Sequence, residues 1–386
     1  MRNIHPYVCG VIPRHMLQRL AEQTFDAEAQ RRARLTLDQM HRLEAVPDRA
    51  LLPATPETPS RRKRRNVYDA RQQWQLPGKL VMSDHKRSTD VHAVEAWQGT
   101  GTTLDFFATN FKRHSIDNRG LRLDSTVHYG TGFQNAVWNG RQIVYGDGDG
   151  HLFNRFTSSI DITAHELMHG ITDATASLGY SGESGALNEH ISDAFGIMVR
   201  QYKLNQTANE SDWLIGADLL APGILGQGIR SMAAPGTAYD DPFLGRDPQP
   251  WHIRAYLHTT DDHGGVHINS GIPNHAFYLA ATTIGGVTWD VVGRVWYMAV
   301  TQRLRSDDGF SDFARATVDL AGELYGNGGY IQRVIAGAWA AVGLEQPLFG
   351  VERLRIKSQP SPLPSGRRPK WRNRPVSSTT RRNSQH

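Results

Sequence analysis

The sequence predicts an α+β protein with two lobes, a strand-rich N-terminal lobe followed by a mainly helical C-terminal lobe. Between about residues 66 and 156, short β-prone segments such as STVHYG and RQIVYGDGDG are separated by Gly and Asp turns, with one helix-like stretch around LDFFATNFKR. From residue 160 to 344 the apolar residues mostly recur at helical spacing, as in GALNEHISDAFGIMVRQY and YIQRVIAGAWAAVGL. With 386 residues and 39% apolar content, the chain can bury a sizeable core. We therefore expect a cleft between lobes at 67–160 and 161–344.

Two segments precede these lobes. Residues 1–45 contain the helical patterns IPRHMLQRLAE and RARLTLDQMHRLEA, which predict a small helical pair. Residues 46–66 are rich in proline and include the basic run RRKRR, a composition that does not suit a core. We expect residues 46–66 to be a protease-sensitive linker.

The excess positive charge lies in the C-terminal segment, residues 345–386. From Arg353 onward there are ten Lys or Arg and no acidic residue, whereas the whole chain has a net charge of +5, so the rest is net negative. Its Pro, Ser and Arg content predicts a disordered tail. The tail either binds polyanions through their phosphate charges or is a solvated appendage.

Composition also bears on membranes and disulfides. No apolar run approaches eighteen residues, and the first residues lack the continuous apolar stretch of a secretory signal. We expect no membrane segment and no signal peptide. Cys9 is the single cysteine, so an internal disulfide is excluded.

The stretch HELMHGITDATASLGYSGESGALNEHISD, residues 165–193, carries candidate chemistry. On a helix His165 and His169 project from one face a turn apart, while Glu166 points elsewhere, which suits two imidazole ligands and one free carboxylate. Glu189 is the candidate third ligand, since the Gly- and Ser-rich stretch before it can reverse the chain. Asp193, one turn further, could fix a ligand histidine's tautomer. The alternative for both carboxylates is a solvated helix face, although their apolar neighbours argue against it.

These residues resemble the zinc signature of the thermolysin family of metallopeptidases. Two distant blocks match as well: VHYGTGFQNAVWNGRQIVYGDGDG (127–150) resembles the family's substrate-edge strand, and DDHGGVHINSGIPNHAFYL (261–279) its acid-site loop. The resemblance runs from about Val67 to Leu344. The short helical pro-region resembles the protealysin-like branch. The resemblance to the family implies a thermolysin-like fold in which the zinc site lies on a helix at the floor of the cleft.

The resemblance implies one zinc ion per chain. Its ligands would be His165, His169 and Glu189, with Asn188 and Asp193 as hydrogen-bonding partners of the two histidines.

The resemblance also implies the catalytic groups. Glu166 would be the general base that takes a proton from the attacking water and later passes it to the leaving amine. Tyr180 and His267 would stabilise the oxyanion, and Asp262 would keep the His267 imidazole charged and oriented. A glycine loop with a stray histidine is the alternative reading of GGVHINSG.

Further matching positions concern substrate binding. Asn135, Ala136 and Arg230 match groups that hold the substrate backbone as an added strand. The pocket for the residue after the cut bond would be apolar, which favours Leu, Ile, Phe or Val there. Its lining would be Phe153, Ile162, Ile215 and Ile229.

One departure from the family concerns calcium. Asp161 and Asp212 match two ligands of the family's paired calcium site, but its other carboxylates are replaced by Arg200, Leu214 and Ala217. Because an arginine supplies the charge that an ion would supply, we predict no calcium at that site.

These expectations combine into a function. The sequence predicts a zinc-dependent endopeptidase that cuts on the amino side of bulky apolar residues in proteins and peptides, is made as a precursor, and is a monomer. One alternative is a polyanion-binding protein that acts through the basic tail and has a vestigial peptidase fold, and only the tail supports it. Another is a zinc-binding protein without activity, which would need Glu166 or His267 to be lost, and neither is. The resemblance implies secretion by a route independent of a signal peptide; a cytoplasmic precursor is the other reading.

The segment before Asn66 is expected to keep the enzyme latent, with YVCGVIPRHML in or near the cleft. Cys9 has two readings. Its thiolate could occupy the open position on the zinc, or it could be a small buried apolar residue.

Overall fold

The N-terminal lobe is built on a six-stranded sheet in a computed structural model that describes residues 8–45 and 60–345. The strands are β1 (Cys9–Gly10), β2 (Arg65–Asp69), β3 (Lys79–Ser83), β4 (Leu123–Val127), β5 (Ala136–Trp138) and β6 (Gln142–Tyr145), in the spatial order β1-β5-β6-β4-β2-β3. β4 runs parallel to both β2 and β6, and the other pairs are antiparallel. The strands expected at STVHYG and RQIVYG are β4 and β6.

Helix α3 (Val91–Phe111) packs against this sheet and against α4. It begins where the Asp90 side chain accepts a hydrogen bond from the backbone N–H of His92. The sequence pattern showed only its second half, around LDFFATNFKR. Two glycines near its middle interrupt the apolar period. The side chain of Thr163 lies close to Gly99, and that of Arg65 lies close to Gly101.

The C-terminal lobe is mainly helical, as predicted. Its helices are α4 (Ile160–Ala174), α5 (Gly182–Leu204), α6 (Asp262–Asn269), α7 (Gly271–Ile284), α8 (Val292–Gln302), α9 (Phe310–Tyr325) and α10 (Tyr330–Ala341). Two small ribbons join them: β7 (Leu214–Ile215) with β8 (Arg230–Ser231), and β9 (Asp240–Asp241) with β10 (Gly245–Arg246). Trp296 stacks on Trp339 in the core, with ring centroids 5.9 Å apart.

Helices α4 and α5 pack closely enough to bring polar side chains from both together. At Gly196 a Cβ atom would lie 2.8 Å from the carbonyl oxygen of Asp161, so only glycine permits this approach. The consequence is that the HELMH face of α4 lies against Glu189 and Asp193 of α5.

The predicted helical pair is present as α1 (Arg14–Gln23) and α2 (Ala27–Glu44), which pack on each other. α2 starts earlier than its apolar pattern because Asp26 caps it, accepting hydrogen bonds from the backbone N–H groups of Glu28 and Ala29. α2 contacts the N-terminal lobe, where Gln39 donates to the Tyr129 hydroxyl.

The end of the predicted linker, residues 60–66, packs on the N-terminal lobe. The Ser60 N–H donates to the Arg119 carbonyl at 2.8 Å. Arg65 begins β2 and is only 7% exposed, with its guanidinium 3.5 Å from the Trp97 ring centroid and a 2.7 Å hydrogen bond to the Trp97 carbonyl. The expectation that no core would accept this basic run is therefore wrong for Arg65, because Trp97 offers both an aromatic face and an acceptor.

Residues 46–59 of the linker and 346–386 of the tail lie outside the described residues, and the segment boundaries stay predictions. Within the described part of the chain, no helix combines the length and apolar character needed to cross a membrane.

Candidate active site

Three buried side chains form a ligand cluster at the contact of α4 with α5. The Nε2 atoms of His165 and His169 lie 3.1 Å apart, and the Glu189 carboxylate lies 3.4 Å from the first and 3.5 Å from the second. A tetrahedral zinc site with bonds of about 2.0–2.1 Å separates its ligand atoms by about 3.4 Å. Glu189 Oε2 is buried and accepts no hydrogen bond from any described residue. The cluster therefore fits a zinc ion.

The two histidine rings are oriented by partners on α5. His165 Nδ1 lies 2.9 Å from Asp193 Oδ1, and His169 Nδ1 lies 2.9 Å from Asn188 Oδ1. Oxygen atoms at these positions can accept from an Nδ1 proton on each ring, which would leave Nε2 as the ligand atom. The structure thus brings all five residues of the predicted metal site together.

Asp193 is itself held by two further residues. Arg230 donates to it from Nε at 2.8 Å and from Nη2 at 2.7 Å, and Asn274 Nδ2 donates at 2.9 Å. Burial alone would raise the pKa of Asp193, but Arg230 and His165 hold it below its usual range. Sequence reasoning missed Asn274, whose only signal was its position as a polar residue in the apolar stretch SGIPNHAFYL.

Glu166 is fully buried beside this cluster. Its Oε2 accepts a 2.6 Å hydrogen bond from the backbone N–H of Trp138, at the end of β5. Burial raises the pKa of Glu166 to about 8, so this carboxyl can hold a proton near neutral pH. Trp138 was also missed from the sequence, because a backbone N–H has no residue signature.

A second group of side chains adjoins Glu189 and consists of Tyr180, His267 and Asp262. The Tyr180 hydroxyl donates to Glu189 Oε1 at 2.5 Å, and His267 Nε2 lies 3.3 Å from Glu189 Oε2. His267 Nδ1 lies 2.8 Å from Asp262 Oδ1. Burial alone would lower the pKa of His267. The charges of Asp262 and Glu189 raise it by more, so the pKa lies above its usual value. Two donors therefore converge next to the ligand cluster.

Residues 9–12, in the predicted pro-region, lie along β5 as an added strand. β1 pairs antiparallel with β5, and the Val11 N–H continues the ladder to the Ala136 carbonyl at 3.1 Å. The Asn135 side chain accepts from the Ile12 N–H at 2.9 Å and donates to the Ile12 carbonyl at 3.2 Å. Arg230 Nη1 donates to the Val11 carbonyl at 3.1 Å. All three residues expected to hold a substrate backbone hold this segment.

Cys9 lies at the ligand cluster. Its Sγ and ligand atoms of His169 and Glu189 are all within 4.8 Å of one another, and the side chain is fully buried. The next residue, Gly10, lies so close to the edge strand that a Cβ there would be 2.7 Å from Asn135 Nδ2. The described residues thus include a sulfur close to two of the three metal ligands.

The amino-acid sequence matches the models of a known family along most of the chain. Residues 57–173 match the thermolysin metallopeptidase catalytic domain, and residues 176–344 match the thermolysin metallopeptidase alpha-helical domain. The chain belongs to the thermolysin family of metallopeptidases. It is therefore a metalloprotease, and the family implies zinc, as the sequence predicted.

Individual relatives agree with this assignment. The extracellular metalloprotease of Pectobacterium carotovorum subsp. carotovorum is 48% identical over 341 residues, which cover 88% of this chain and 97% of that protein. A thermolysin from Bacillus sp. (strain EA1) is 40% identical over 289 residues, covering 72% of this chain and 50% of that protein. The solved precursor of protealysin, a metalloproteinase from Serratia proteamaculans, has a TM-score of 0.80 and 46% identity, covering 87% of this chain and 99% of that one. The predicted family and fold are confirmed.

The predicted apolar pocket of this thermolysin-family chain is buried. The Ile229 N–H donates to the Ile215 carbonyl at 2.8 Å, and Ile215 pairs with Arg230 across the β7–β8 ribbon. Ile162 lies on α4 in the turn before the ligand histidines. Phe153 and Leu17 of α1 line the same small cavity. The role of these residues in specificity stays a prediction.

At the positions of the family's paired calcium site, the thermolysin-family chain has internal partners instead. Arg200 donates to both Asp212 carboxylate oxygens at 2.7 and 3.0 Å and to the Leu214 carbonyl at 3.1 Å. Asp161 accepts hydrogen bonds from the Ser159 hydroxyl and from a backbone N–H. The absence of calcium stays a prediction.

Proposed function

We propose that this chain is the latent precursor of a zinc-dependent endopeptidase that cuts proteins and peptides on the amino side of bulky apolar residues. The observation that carries the proposal is the pro-segment from Cys9 to Ile12, held as an added strand by the residues expected to bind a substrate. Such strand addition gives affinity through main-chain hydrogen bonds and is how extended peptides bind sheet edges.

The chemistry follows from the residues around the ligand cluster. When bound, zinc supplies a Lewis acid and lowers the pKa of water. Glu166, anchored by the Trp138 N–H, takes the proton of the attacking water and delivers it to the leaving amine. Tyr180 and His267 donate hydrogen bonds to the developing oxyanion, and Asp262 keeps His267 charged.

The apolar specificity rests on how Val11 is held. Its carbonyl is bound by Arg230 and its side chain is fully buried. Ile229 precedes Arg230 in the chain, and Ile215 is the cross-strand partner of Arg230. A substrate gripped by the same arginine would place its residue after the cut bond in this apolar setting.

A peptide series tests the specificity and the metal dependence. Casein and peptides with Leu, Phe, Asp or Lys after the cut bond are incubated with processed enzyme, with and without a zinc chelator. We expect cleavage before Leu and Phe that the chelator abolishes and added zinc restores. Cleavage that persists in the chelator would contradict the zinc mechanism, while equal cleavage before Asp would contradict only the specificity.

We further propose that Cys9 makes the latency tighter by binding the zinc through sulfur. Burial and the nearby Glu189 raise the pKa of the Cys9 thiol, so its thiolate requires a bound cation, which deprotonates a coordinating thiol. The support is the distance, with Sγ within 4.8 Å of ligand atoms of His169 and Glu189. The other reading, a small buried apolar residue, is an outcome of the test.

Mass spectrometry and a peptide assay, followed over time, test the latency. We expect a shortened chain to appear together with activity. Glu166→Gln blocks this step if processing is autocatalytic. Gly10→Val, which forces a side chain onto Asn135, speeds activation. Full activity from an uncleaved chain would refute the latency.

Cys9→Ser separates the two readings of the cysteine. If sulfur binds the zinc, the variant precursor shows residual activity before cleavage, and cobalt-substituted precursor loses its sulfur-to-metal charge-transfer absorption. Unchanged latency and an unchanged cobalt spectrum would remove the sulfur contact and leave the strand addition standing.

We infer a position for the processing site from the hydrogen bonds of the residues that follow the linker. The sequence places the new N-terminus between about Leu51 and Val67, and residues from Ser60 onward hydrogen-bond to the N-terminal lobe. Cleavage before Ser60 preserves those contacts, so we place it there. We also propose that the protein is secreted, since a relative of which the match covers 97% is named an extracellular metalloprotease.

A further inference from the structure

A second group of metal-ligating side chains lies at one edge of the sheet, away from the HELMH helix. β4 ends at Val127 and β6 at Tyr145, and because these strands are parallel, the residues that follow them meet at the same edge. His128 and Asp147 are those residues. The first turn of α3 adds His92 to the same place.

The three side chains present ligand atoms to one small volume. His128 Nδ1 lies 2.8 Å and His92 Nδ1 3.5 Å from the same Asp147 carboxylate oxygen, Oδ1. The two imidazole rings have centroids 4.5 Å apart. His92 Nδ1 is buried and makes no hydrogen bond with any described residue. One ligand atom from each side chain lies within 4.8 Å of the others.

Other residues hold the ligands in place as they would in a metal site. His128 Nε2 lies 2.9 Å from Asp90 Oδ2, so this carboxylate can hold the Nε2 proton when Nδ1 binds a metal. Gln72 donates to the remaining oxygen of Asp147. Asp90 is fixed in turn as the N-cap of α3. A ligating histidine backed by a carboxylate is the usual outer arrangement of zinc sites.

We propose that His92, His128 and Asp147 bind a second zinc ion, in addition to the single ion expected from the sequence. Two imidazoles and one carboxylate suit zinc, and partial exposure leaves room for water as the fourth ligand. His128 contacts Asp147 through Nδ1 and Asp90 through Nε2, so an ion bound at Nδ1 would take the place of a proton there.

The ion would tie together three elements of the N-terminal lobe, α3, β4 and β6. The site also lies one residue from a contact with the substrate edge, where the Gly146 N–H donates to the Asn135 carbonyl at 2.9 Å. Its role is therefore structural, bracing the end of β6 beside a substrate-binding residue.

Zinc titration of the full-length chain tests the proposal, using a Glu166→Gln background so that the protein is not cleaved. Zinc is titrated into the protein in a calorimeter. The zinc that stays bound is then measured by metal analysis after gel filtration at a low concentration of free zinc. We expect two zinc ions per chain in this parent and one in its His92→Leu and Asp147→Asn variants. The exposed His85 serves as the matched control, and His85→Ala should keep two. We also expect the second equivalent to raise the melting temperature by several degrees.

Two outcomes would overturn the second site. One is a single zinc ion in the parent at saturating zinc; the other is two ions retained in both His92→Leu and Asp147→Asn. His165→Ala separates this proposal from the catalytic one, because it should remove the first equivalent and leave the second. Circular dichroism of each variant confirms that a lost ion does not reflect a lost fold.

Discussion

Two glutamates a few ångströms from the same histidines have opposite electrostatic surroundings. Burial would raise the pKa of Glu189, but His267 and His169 hold it well below its usual range, so it stays a charged ligand. Glu166 lacks such a partner at its Oε1 atom among the described residues, and burial raises its pKa to about 8. When the surroundings shift the pKa values of two carboxyl groups in opposite directions, one group stays charged and the other is suited to proton transfer.

The first prediction concerns Glu166. Glu166→Gln keeps the shape and the Trp138 hydrogen bond but removes the proton acceptor, so peptide hydrolysis should fall about 10²- to 10⁴-fold or more while zinc stays bound. Metal analysis beside a peptide assay measures both quantities. Glu323→Gln, at an exposed glutamate paired with Arg303, is the control and should change neither. Retained hydrolysis in Glu166→Gln would rule out this mechanism.

At the residue scale the sequence was informative where spacing fixes geometry. His165 and His169 had to share a helix face, and an apolar setting made Glu189 and Asp193 poor surface residues. The sequence could not predict the anchoring of Glu166 by Trp138, because that contact uses a backbone N–H and depends on how β5 approaches α4.

At the element scale, the helices were predictable and the strand in the cleft was not. α1 and α2 have an apolar period, whereas β1 has only two residues and no alternation to detect. It is a strand because β5 offers an unpaired edge and Gly10 allows the close approach. Arg65 shows the same limit, since its burial depends on the distant Trp97.

The second prediction concerns the α5–β7 region. Arg200 pairs with Asp212 and donates to the Leu214 carbonyl, so its charge offsets part of the carboxylate repulsion that calcium would otherwise offset. The melting temperature should differ little between excess calcium and a calcium-selective chelator, with zinc constant in both. A difference above about 10 °C, which corresponds to more than about 2 kcal/mol, would contradict this expectation.

At the scale of the whole molecule, the pro-region contacts both lobes. Thr36 of α2 accepts a hydrogen bond from the Gln134 N–H in the N-terminal lobe at 2.9 Å. His15 of α1 lies 3.4 Å from the Tyr239 hydroxyl in the C-terminal lobe. The two-lobed arrangement was predictable from the change of sequence period along the chain. The docking was not, because it depends on the complementarity of two folded surfaces.

The third prediction concerns the tail, most of which lies outside the described residues. Deleting residues 345–386 should leave hydrolysis of small peptides unchanged, because the family match ends at residue 344. If the tail binds polyanions, affinity for heparin or nucleic acid should fall steeply with salt and disappear on deletion. Salt-insensitive binding, or no binding by the full chain, would exclude that role.

The strand formed by Cys9 and Gly10 has a further consequence for the time after cleavage. While the pro-region is covalently attached, its strand meets the cleft at an effective concentration on the order of millimolar. If the linker is cut as we propose, the released segment with β1, α1 and α2 competes with substrate only at its concentration in solution. Dilution then becomes part of activation. A compartment with a high concentration of the cleaved protein would keep the enzyme inhibited, and release into a large volume would free it.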